Sequence, residues 1–469
     1  MKDEKYSLAA SSKAKFDMLL KEVLSDFKPS KQEIDNAKVA INEIMGRLMK
    51  KTPKNVEILL AGSVARGTQI KGNSDIDIFL LFPREMKDTV IEKKGLEIGK
   101  AIVNKKKNES CIVKYAEHPY TRLFLKDLAL NVDIVPAYKI EHAKDRGTAV
   151  DRTQLHNDFV NSHLTEKQRD DVRILKAFLK SHHIYGAEAR TEGFSGYLCE
   201  LLTYHYGSFL GVLAGMANTK LPTIINSGKS KTDNRDSAAL VKLFGKKFIV
   251  VDPTDSERNV AANVSEESLF RVVLISRYLL KSPEKKIFYG EGFSDVYSEN
   301  KLSGIRETLG ADLYALHFEV PEIADDILWQ QLKKIKIRLH DKLKDNGFEP
   351  IISLQNIEGK DAVIGFFIGE RHITMTQVVG PTLEMGEAIE QFMKAHKDAP
   401  LKSIEKDRIY TIEKAKYFNP EQLIRAFIAN KSAALPSNFN PKKSSLHINK
   451  VPERQAKLIY IAYSNKFSL

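Results

Sequence analysis

The chain is poor in cysteine, and its first residues do not resemble a secretory signal. Its 469 residues include only Cys111 and Cys199, with no C-x-x-C pair. This excludes a disulfide framework and a cysteine-ligated zinc site. Residues 1–20 are charged and hold no apolar core segment, so we expect no secretory signal and a cytoplasmic protein. The most apolar long stretch, residues 194–217, carries Glu200 and His205, which favours a buried helix over a membrane span.

Low-complexity tracts and fixed-period repeats are also absent, while positive charge is in excess. Lysine and arginine number 73 against 61 aspartate and glutamate, giving a net charge of +12 and a pI near 9.2. This balance indicates a polyanionic partner, with nucleic acid favoured over an anionic membrane surface or solubility alone. The length predicts several domains.

The first 150 residues alternate between helical and strand patterns. Ser30 and Glu33 form a capping box that predicts a helix to about Lys51. A strand is predicted at 56–61, followed by a turn at Gly62-Ser63 and a helix. Further strands are predicted at residues 75–82 and 129–135, the second ending at Pro136. This order predicts an α/β or α+β first domain.

The remaining chain is divided by a change of pattern near residue 284. Residues 165–280 are helical in pattern and include a helix from Tyr197 to Leu213. Beyond residue 284, short strands are predicted at 351–354 and 363–368, beside a basic helix at 326–344. The lysines of this helix either contact RNA or form a face exposed only to solvent. The predicted fold is an α+β multidomain chain with domains at 1–150, 151–283 and 284–469.

Asp75-Ile76-Asp77 is the sharpest chemical feature. Strand alternation places Asp75 and Asp77 on one face, about 7 Å apart. Two like charges there are unfavourable unless a cation neutralises them, and Mg²⁺ prefers carboxylates together with phosphate oxygens. An isolated D-x-D is more often a solvated strand face than a metal site. The neighbouring residues must therefore decide between these two interpretations.

The context is a candidate phosphate site just before the D-x-D. Ser63 and the backbone N–H groups after Gly62 are predicted at a helix N-terminus, which receives anions, and Arg66 adds a forked cation. The plainer interpretation is a strand, turn and helix with Ser63 as a cap. Asp133, inside the apolar run 130–135, is either an edge-strand charge or a third carboxylate. If its strand lies beside Asp77, the three carboxylates form a two-metal phosphoryl-transfer arrangement.

These motifs resemble the nucleotidyltransferase superfamily of poly(A) polymerases, oligoadenylate synthetases and CCA-adding enzymes, and most closely the archaeal, class I CCA-adding tRNA nucleotidyltransferases. The resemblance extends to Gly193-Phe194-Ser195-Gly196-Tyr197-Leu198-Cys199-Glu200-Leu201-Leu202 and to Asp252-Pro253-Thr254-Asp255 followed by Arg258-Asn259-Val260-Ala261-Ala262-Asn263. It implies a polymerase-beta-like palm domain, a central helical domain and a C-terminal α/β RNA-binding domain.

The resemblance also implies roles for individual residues. Asp75, Asp77 and Asp133 would be catalytic and bind two Mg²⁺ ions. The nucleotide would be bound by Ser63, Arg66, His156, Lys176, Tyr185 and Arg258, the last reading the base edge. Taken alone, Lys176, Tyr185 and His156 are more simply a solvated charge, a core aromatic and a surface residue.

The implied activity is template-independent addition of C, C and A to the 3′ end of tRNA from CTP and ATP. The expected partners are tRNA, CTP and ATP, with no membrane, and a homodimer is a further expectation. The alternatives are a poly(A) or oligoadenylate polymerase, a noncatalytic RNA-binding protein of the same fold, or a D-x-D glycosyltransferase. Retention of all three carboxylates disfavours a noncatalytic protein, because RNA contact alone gains nothing from clustered negative charge.

Overall fold

A computed structural model describes residues 13–72, 75–115, 119–227, 237–289, 298–369, 372–429 and 435–467. The chain divides into two compact units, Met1–Glu291 and Gly292–Ser468. The domain limits at residues 150 and 283 stay predictions. Within the described ranges, no helix combines the length and apolar character that a membrane crossing requires.

The first unit begins with an α+β part that contains one five-stranded sheet. Its helices are α1 (Lys13–Phe27), α2 (Lys31–Lys51), α3 (Gly62–Ala65) and α4 (Asp88–Ala101). Its strands are β1 (Glu57–Ala61), β2 (Ile76–Phe82), β3 (Glu109–Tyr115), β4 (Pro119–Leu125) and β5 (Leu130–Tyr138). The predicted capping box is confirmed, because Ser30 and Glu33 bond reciprocally at the start of α2.

The sheet has the strand order β1-β2-β5-β4-β3, in which only β2 and β5 run parallel. Isoleucines of β2 and β5 are fully buried, and they pack with α2 and α4 into one core. This core holds β2 and β5 in a fixed register, which sets the positions of the polar residues on their other face.

The prediction that β5 ends at Pro136 is wrong. The strand continues to Tyr138, and Pro136 pairs with Leu80 of β2. Pairing with β4 stops earlier, at Ile134 opposite Thr121. Since β5 has a hydrogen-bonded neighbour on one side only at Pro136, the missing N–H costs no ladder bond there.

The helical part of the first unit follows. Its elements are α5 (Thr153–His163), α6 (Glu166–Ser181), α7 (Gly196–Tyr206), α8 (Phe209–Ala217), α9 (Ser237–Phe244) and α10 (Glu266–Lys281), with β6 (Thr223–Asn226), β7 (Phe248–Asp252) and β8 (Asp255–Asn259) in a small sheet. The predicted single helix from Tyr197 to Leu213 is two helices. Gly207, at φ +81°, ends α7, and the Ser208 side chain caps α8.

In the residues that the structure describes, the second unit is a mixed structure with two sheets. Its elements are α11 (Glu299–Leu309), β9 (Asp312–Glu319), α12 (Asp325–Asp345), β10 (Pro350–Glu358), β11 (Asp361–Ile368), β12 (Met375–Thr382), α13 (Gly386–Ala395), β13 (Leu401–Glu405), β14 (Arg408–Lys414), α14 (Pro420–Ala429), β15 (Ser444–Ile448) and α15 (Glu453–Phe467). The sheets have the orders β10-β11-β9-β15 and β12-β14-β13. The basic helix is confirmed as α12, and it packs through Leu332, Ile335 and Leu339, whereas Ile337 is exposed.

Candidate active site

Three aspartates lie on one face of the five-stranded sheet, at the end where β2 begins. Asp77 of β2 is in register with Asp133 of the parallel strand β5, and Asp75 immediately precedes β2. Neighbouring strands are about 4.8 Å apart, so the carboxylates of Asp77 and Asp133 are close neighbours. Asp133 is buried and Asp77 half-buried, while the Asp75 side chain is 43% exposed.

The proximity of the carboxylates changes the acidity of Asp77. Burial, reinforced by the negative charges of Asp133 and Asp75, raises the pKa of Asp77 to about 7. The positive charges of Arg66 and Arg122 act in the opposite direction but do not offset these effects. The arrangement therefore stores charge repulsion that a cation at this face would relieve.

Gly62 brings the backbone of the turn after β1 against Asp77. The glycine has φ +73°, and a Cβ atom placed on it would lie 1.9 Å from Asp77 Oδ2. Any larger residue at position 62 would be strained and would displace this carboxylate. The turn and the aspartates thus form one continuous site.

Arg122 of β4 bridges two of the aspartates. It is in register with Asp133, and its Nε and Nη2 donate to Oδ1 and Oδ2 of Asp133 at 2.6 and 2.5 Å. Nη2 also lies 3.3 Å from Asp75 Oδ2, and Asn131 Nδ2 donates to Asp75 Oδ1 at 3.0 Å. Neither Arg122 nor Asn131 was predicted, although Asn131 shares a strand face with Asp133.

The residues fit a divalent cation by their chemistry. They supply only carboxylate oxygens, which hard cations such as Mg²⁺ prefer. Burial, together with their mutual repulsion, disfavours ionised Asp77 without a cation. In the conformation described, no three histidine, cysteine or acidic side chains of the described residues are already grouped as a ligand set. Arg122 is the group that holds Asp133 in this conformation.

The turn after β1 differs from the predicted phosphate-binding helix. The helix α3 is a single turn with Ala61 at the N-cap position, so Ser63 is not its cap and the helix dipole is small. The Ser63 hydroxyl makes no hydrogen bond with any residue that the structure describes. Free hydroxyl and backbone N–H donors, rather than a helix dipole, are what this turn offers to an anion.

Arg66 is positioned by a buried acid. Its Nε lies 3.0 Å from Glu200 Oε2, and Glu200 also accepts from the Thr68 hydroxyl at 2.6 Å. Within the described ranges, the terminal amino groups of Arg66 have no hydrogen-bond partner, which leaves them available to phosphate oxygens. The Arg66 charge contributes a lowering of the pKa at both Asp77 and His156, although burial raises the pKa of Asp77 overall. Arg66 therefore lies within electrostatic reach of both residues.

Lys176 lies behind the turn, and Tyr185 approaches the same glycine, Gly196, as Lys176 does. Lys176 is 2% exposed and donates to the backbone oxygen of Thr68 at 2.9 Å and to its hydroxyl at 3.2 Å. A Cβ atom on Gly196 would lie 3.2 Å from the Tyr185 hydroxyl and 3.6 Å from Lys176 Nζ, so both groups approach one point. Burial lowers the pKa of Lys176 and raises that of Tyr185.

His156 and Arg258 come together in a second cluster, joined by two residues that were not predicted. His156 Nε2 lies 3.0 Å from Asp252 Oδ2 and 3.2 Å from Arg258 Nη1. The His156 ring stacks on Tyr197 at a centroid distance of 3.9 Å. Burial is the main reason that the pKa of His156 is lowered, which keeps the imidazole neutral near pH 7. The Arg258 side chain is 30% exposed.

Three family models match the chain. They are the nucleotidyltransferase domain at residues 41–156, the second domain of tRNA nucleotidyltransferase at 170–289 and the C-terminal domain of the CCA-adding enzyme at 309–443. The first match contains the sheet with the three aspartates. By fold and by site, the chain is therefore a nucleotidyltransferase.

Full-length relatives define the family more closely. The chain is 33% identical over 425 residues to the CCA-adding enzyme of Archaeoglobus fulgidus, covering 90% of this chain and 92% of the relative. For the enzyme of Methanocaldococcus jannaschii the identity is 38% over 344 residues, covering 70% and 73%. For that of Thermoplasma acidophilum it is 31% over 434 residues, covering 92% and 94%. The chain belongs to the family of CCA-adding enzymes, and the resemblance predicted from its motifs is confirmed.

Proposed function

We propose that this chain adds C, C and A to the 3′ end of tRNA, using CTP and ATP and releasing pyrophosphate. The observation that carries the proposal is the register of Asp77 with Asp133, beside Asp75, on the sheet of a chain from the CCA-adding family. RNA binding alone does not require carboxylates clustered beside an anion-binding turn. A D-x-D glycosyltransferase is disfavoured because the nucleotidyltransferase domain model matches residues 41–156, which contain the three aspartates.

In the proposed reaction the RNA 3′ oxygen forms a bond to the α-phosphorus of the nucleotide. The bond from that phosphorus to the β-phosphate breaks, and pyrophosphate leaves. The proton of the 3′ hydroxyl passes to a carboxylate of the cluster, so no covalent enzyme intermediate is needed. Asp75, Asp77 and Asp133 would hold Mg²⁺, which when bound favours ionisation of the hydroxyl and neutralises the leaving pyrophosphate.

The other residues would hold the nucleotide. The turn donors, Ser63 and the amino groups of Arg66, face the triphosphate, with Arg66 held in direction by Glu200. Lys176 supports the turn from behind, since it is bonded to Thr68, and the Tyr185 hydroxyl lies near Gly196 on the same side as Lys176 Nζ. Arg258 and neutral His156 contact the base side of the nucleotide. Because no nucleic-acid template is used, base choice depends on donors such as Arg258 and on the growing RNA end.

The proposal also covers the bound cation, the cellular compartment and the oligomeric state. We propose that Mg²⁺ is the resident cation, that the enzyme works in the cytoplasm, and that it forms a homodimer. Light scattering on the purified chain measures the dimer directly, and a mass near the 53.0 kDa of one chain would exclude it.

The test is incubation of the protein with tRNA that lacks its 3′ CCA, together with Mg²⁺ and labelled CTP or ATP. We expect addition of C, C and then A, resolved on a gel at single-nucleotide resolution. Asp77→Asn and Asp133→Asn should lower the rate by about a thousandfold or more. Asp127→Asn, in an exposed turn after β4, is the matched control and should retain activity.

Two other outcomes would change the proposal. Long A tails would identify a poly(A) polymerase instead. A folded protein that binds this tRNA but incorporates no nucleotide would be an RNA-binding protein without the proposed activity.

A further inference from the structure

Asp252 is a fully buried carboxylate at the centre of the second cluster. Its Oδ1 accepts from the Tyr197 hydroxyl at 3.1 Å and from the backbone N and hydroxyl of Thr254 at 2.9 and 2.8 Å. Its Oδ2 lies 2.8 Å from Arg258 Nη1 and 3.0 Å from His156 Nε2. Asp252 is 1% exposed, so solvent does not share these contacts.

The two oxygens of Asp252 contact different groups, structural ones at Oδ1 and candidate nucleotide-binding ones at Oδ2. Oδ1 is tied to the turn after β7 and to α7, which fixes the carboxylate in place. Oδ2 then engages the two residues that are proposed to contact the nucleotide. A buried charge is tolerated only when its oxygens are satisfied, and here both of them are. These bonds hold the pKa of Asp252 well below its usual range although burial opposes them.

The hydrogen bond to Asp252 restricts the orientation of the Arg258 guanidinium. A partly exposed arginine loses much side-chain entropy when it is held in one orientation. A charge-assisted bond from one amino group to a fixed carboxylate supplies that orientation before a nucleotide binds. The Tyr197 ring adds a second restraint, with the Arg258 guanidinium carbon 6.0 Å from its centroid. The remaining N–H groups of the guanidinium then point in a constant direction.

We propose that Asp252 is the positioning residue for base choice, acting through Arg258 and His156. This inference rests on the proposed function. The pyrimidine N3 of cytosine and the N1 of adenine are hydrogen-bond acceptors, whereas uracil N3 and guanine N1 carry hydrogen. A guanidinium held in one orientation donates to cytosine and adenine and opposes N–H groups of uracil and guanine. A guanidinium that is not held can turn away from uracil, and the discrimination is lost.

The test compares Asp252→Asn with Asp255→Asn. The asparagine at 252 keeps the shape and removes the charge that holds Arg258. Asp255 is the matched control, because it is buried in the neighbouring turn and pairs with Arg152 and Arg146 instead. The readout is the kcat/KM for addition to tRNA lacking its 3′ CCA, measured separately with CTP and UTP, beside a thermal melting curve.

We expect the CTP-to-UTP ratio to fall about 10- to 100-fold in Asp252→Asn, which corresponds to one lost charged hydrogen bond. The ratio should stay unchanged in Asp255→Asn. A merely structural role would lower both kcat/KM values equally and leave their ratio intact, which would overturn the inference. A wild-type protein that adds neither nucleotide would instead count against the proposed function.

A second variant and a binding measurement cover the remaining cases. Tyr197→Phe removes one bond to Oδ1 while the carboxylate remains, so the ratio should fall by a smaller factor. It decides the question if Asp252→Asn does not fold. If Asp252→Asn folds but turns over too slowly, equilibrium binding of CTP and UTP replaces the rates. Unchanged preference for CTP in that measurement would also reject the role of Asp252.

Discussion

Asp77 and Asp133 are paired in register on the parallel strands β2 and β5, with Arg122 opposite Asp133 on the next strand. The pairing places two carboxylates where their charges repel, and this repulsion adds to burial, the main reason that the pKa of Asp77 is raised to about 7. Arg122 offsets part of the repulsion at Asp133 and Asp75. The buried isoleucines of β2 and β5 on the opposite sheet face fix the register of the two strands. They therefore hold the carboxylates close together even when no cation is bound.

Gly62→Ala should disable the site without loss of the aspartates. The added Cβ would lie 1.9 Å from Asp77 Oδ2, so the carboxylate must move. A displacement of about 1 Å at a reacting group lowers rates by about 100-fold, and we expect at least that loss in nucleotide addition.

Gly72→Ala is the control for Gly62→Ala. Gly72 has φ +71°, nearly the φ of Gly62, but a Cβ there meets no atom within 4 Å. The two variants therefore share the backbone strain and differ in the clash with Asp77. Equal losses of activity in both would show that strain, not displacement of Asp77, is the cause.

The sequence predicted the acids but not their partners. The strand alternation of residues 75–82 predicted that Asp75 and Asp77 share one face, and the capping box predicted the start of α2. Arg122 was missed because its partner depends on the register of β4 with β5, which local pattern does not determine. Pro136 was misread for a similar reason, since only the sheet shows that β5 has one neighbour there. Asp252 was visible in a motif, but its contacts join elements far apart in the chain.

Arg122→Gln should raise the affinity of the site for divalent cations. The substitution removes the positive charge that occupies Asp133 and approaches Asp75, leaving a more negative cluster. Mn²⁺ binding to the nucleotide-free protein, followed by electron paramagnetic resonance, should tighten by about tenfold. The cation-free variant should also lose stability, because Asp133 is left buried without its partner.

Arg84→Gln is the comparison for Arg122→Gln. Arg84 stacks over Tyr138 and donates to the backbone oxygen of Asp145, so its loss removes the same charge elsewhere in the unit. Mn²⁺ affinity should not change in this variant. Equal tightening in both variants would point to overall charge and not to the pairing with Asp133.

Glu200→Gln should weaken both folding and triphosphate binding. Glu200 is buried, and its pKa is lowered, despite its burial, by Arg66, Lys176 and the hydroxyl of Thr68. Removing one partner of a buried ion pair costs about 3–5 kcal/mol, and a released Arg66 should raise the KM for CTP. Denaturant unfolding and steady-state kinetics measure the two effects.

Glu57→Gln is the control for Glu200→Gln, because it removes one acid of an exposed ion pair instead of a buried one. Glu57 pairs with Lys139 at 2.8 Å, and both side chains are more than half exposed. Such a surface pair contributes about 0–1 kcal/mol, so little change is expected in stability or in KM. A Glu200→Gln variant as stable as Glu57→Gln would mean that the Arg66 pair is not structurally important.

His182 should make folding sensitive to mild acid. Burial, together with the nearby charge of Arg271, lowers the pKa of His182 to about 4 in the folded protein, from an ordinary value of 6.5. Between these values the unfolded chain binds the proton and the folded chain does not. The free energy of unfolding therefore falls as the pH drops through this window, by up to about 3 kcal/mol.

His182→Gln should remove this part of the acid sensitivity, because glutamine cannot take up the proton. His163→Gln, at an exposed position on α5, should leave it unchanged. Denaturant unfolding of each variant at several pH values between about 4 and about 7 gives the comparison. An identical slope of stability against pH in the wild type and His182→Gln would show that the buried imidazole does not control acid unfolding, and that another group must take up the proton.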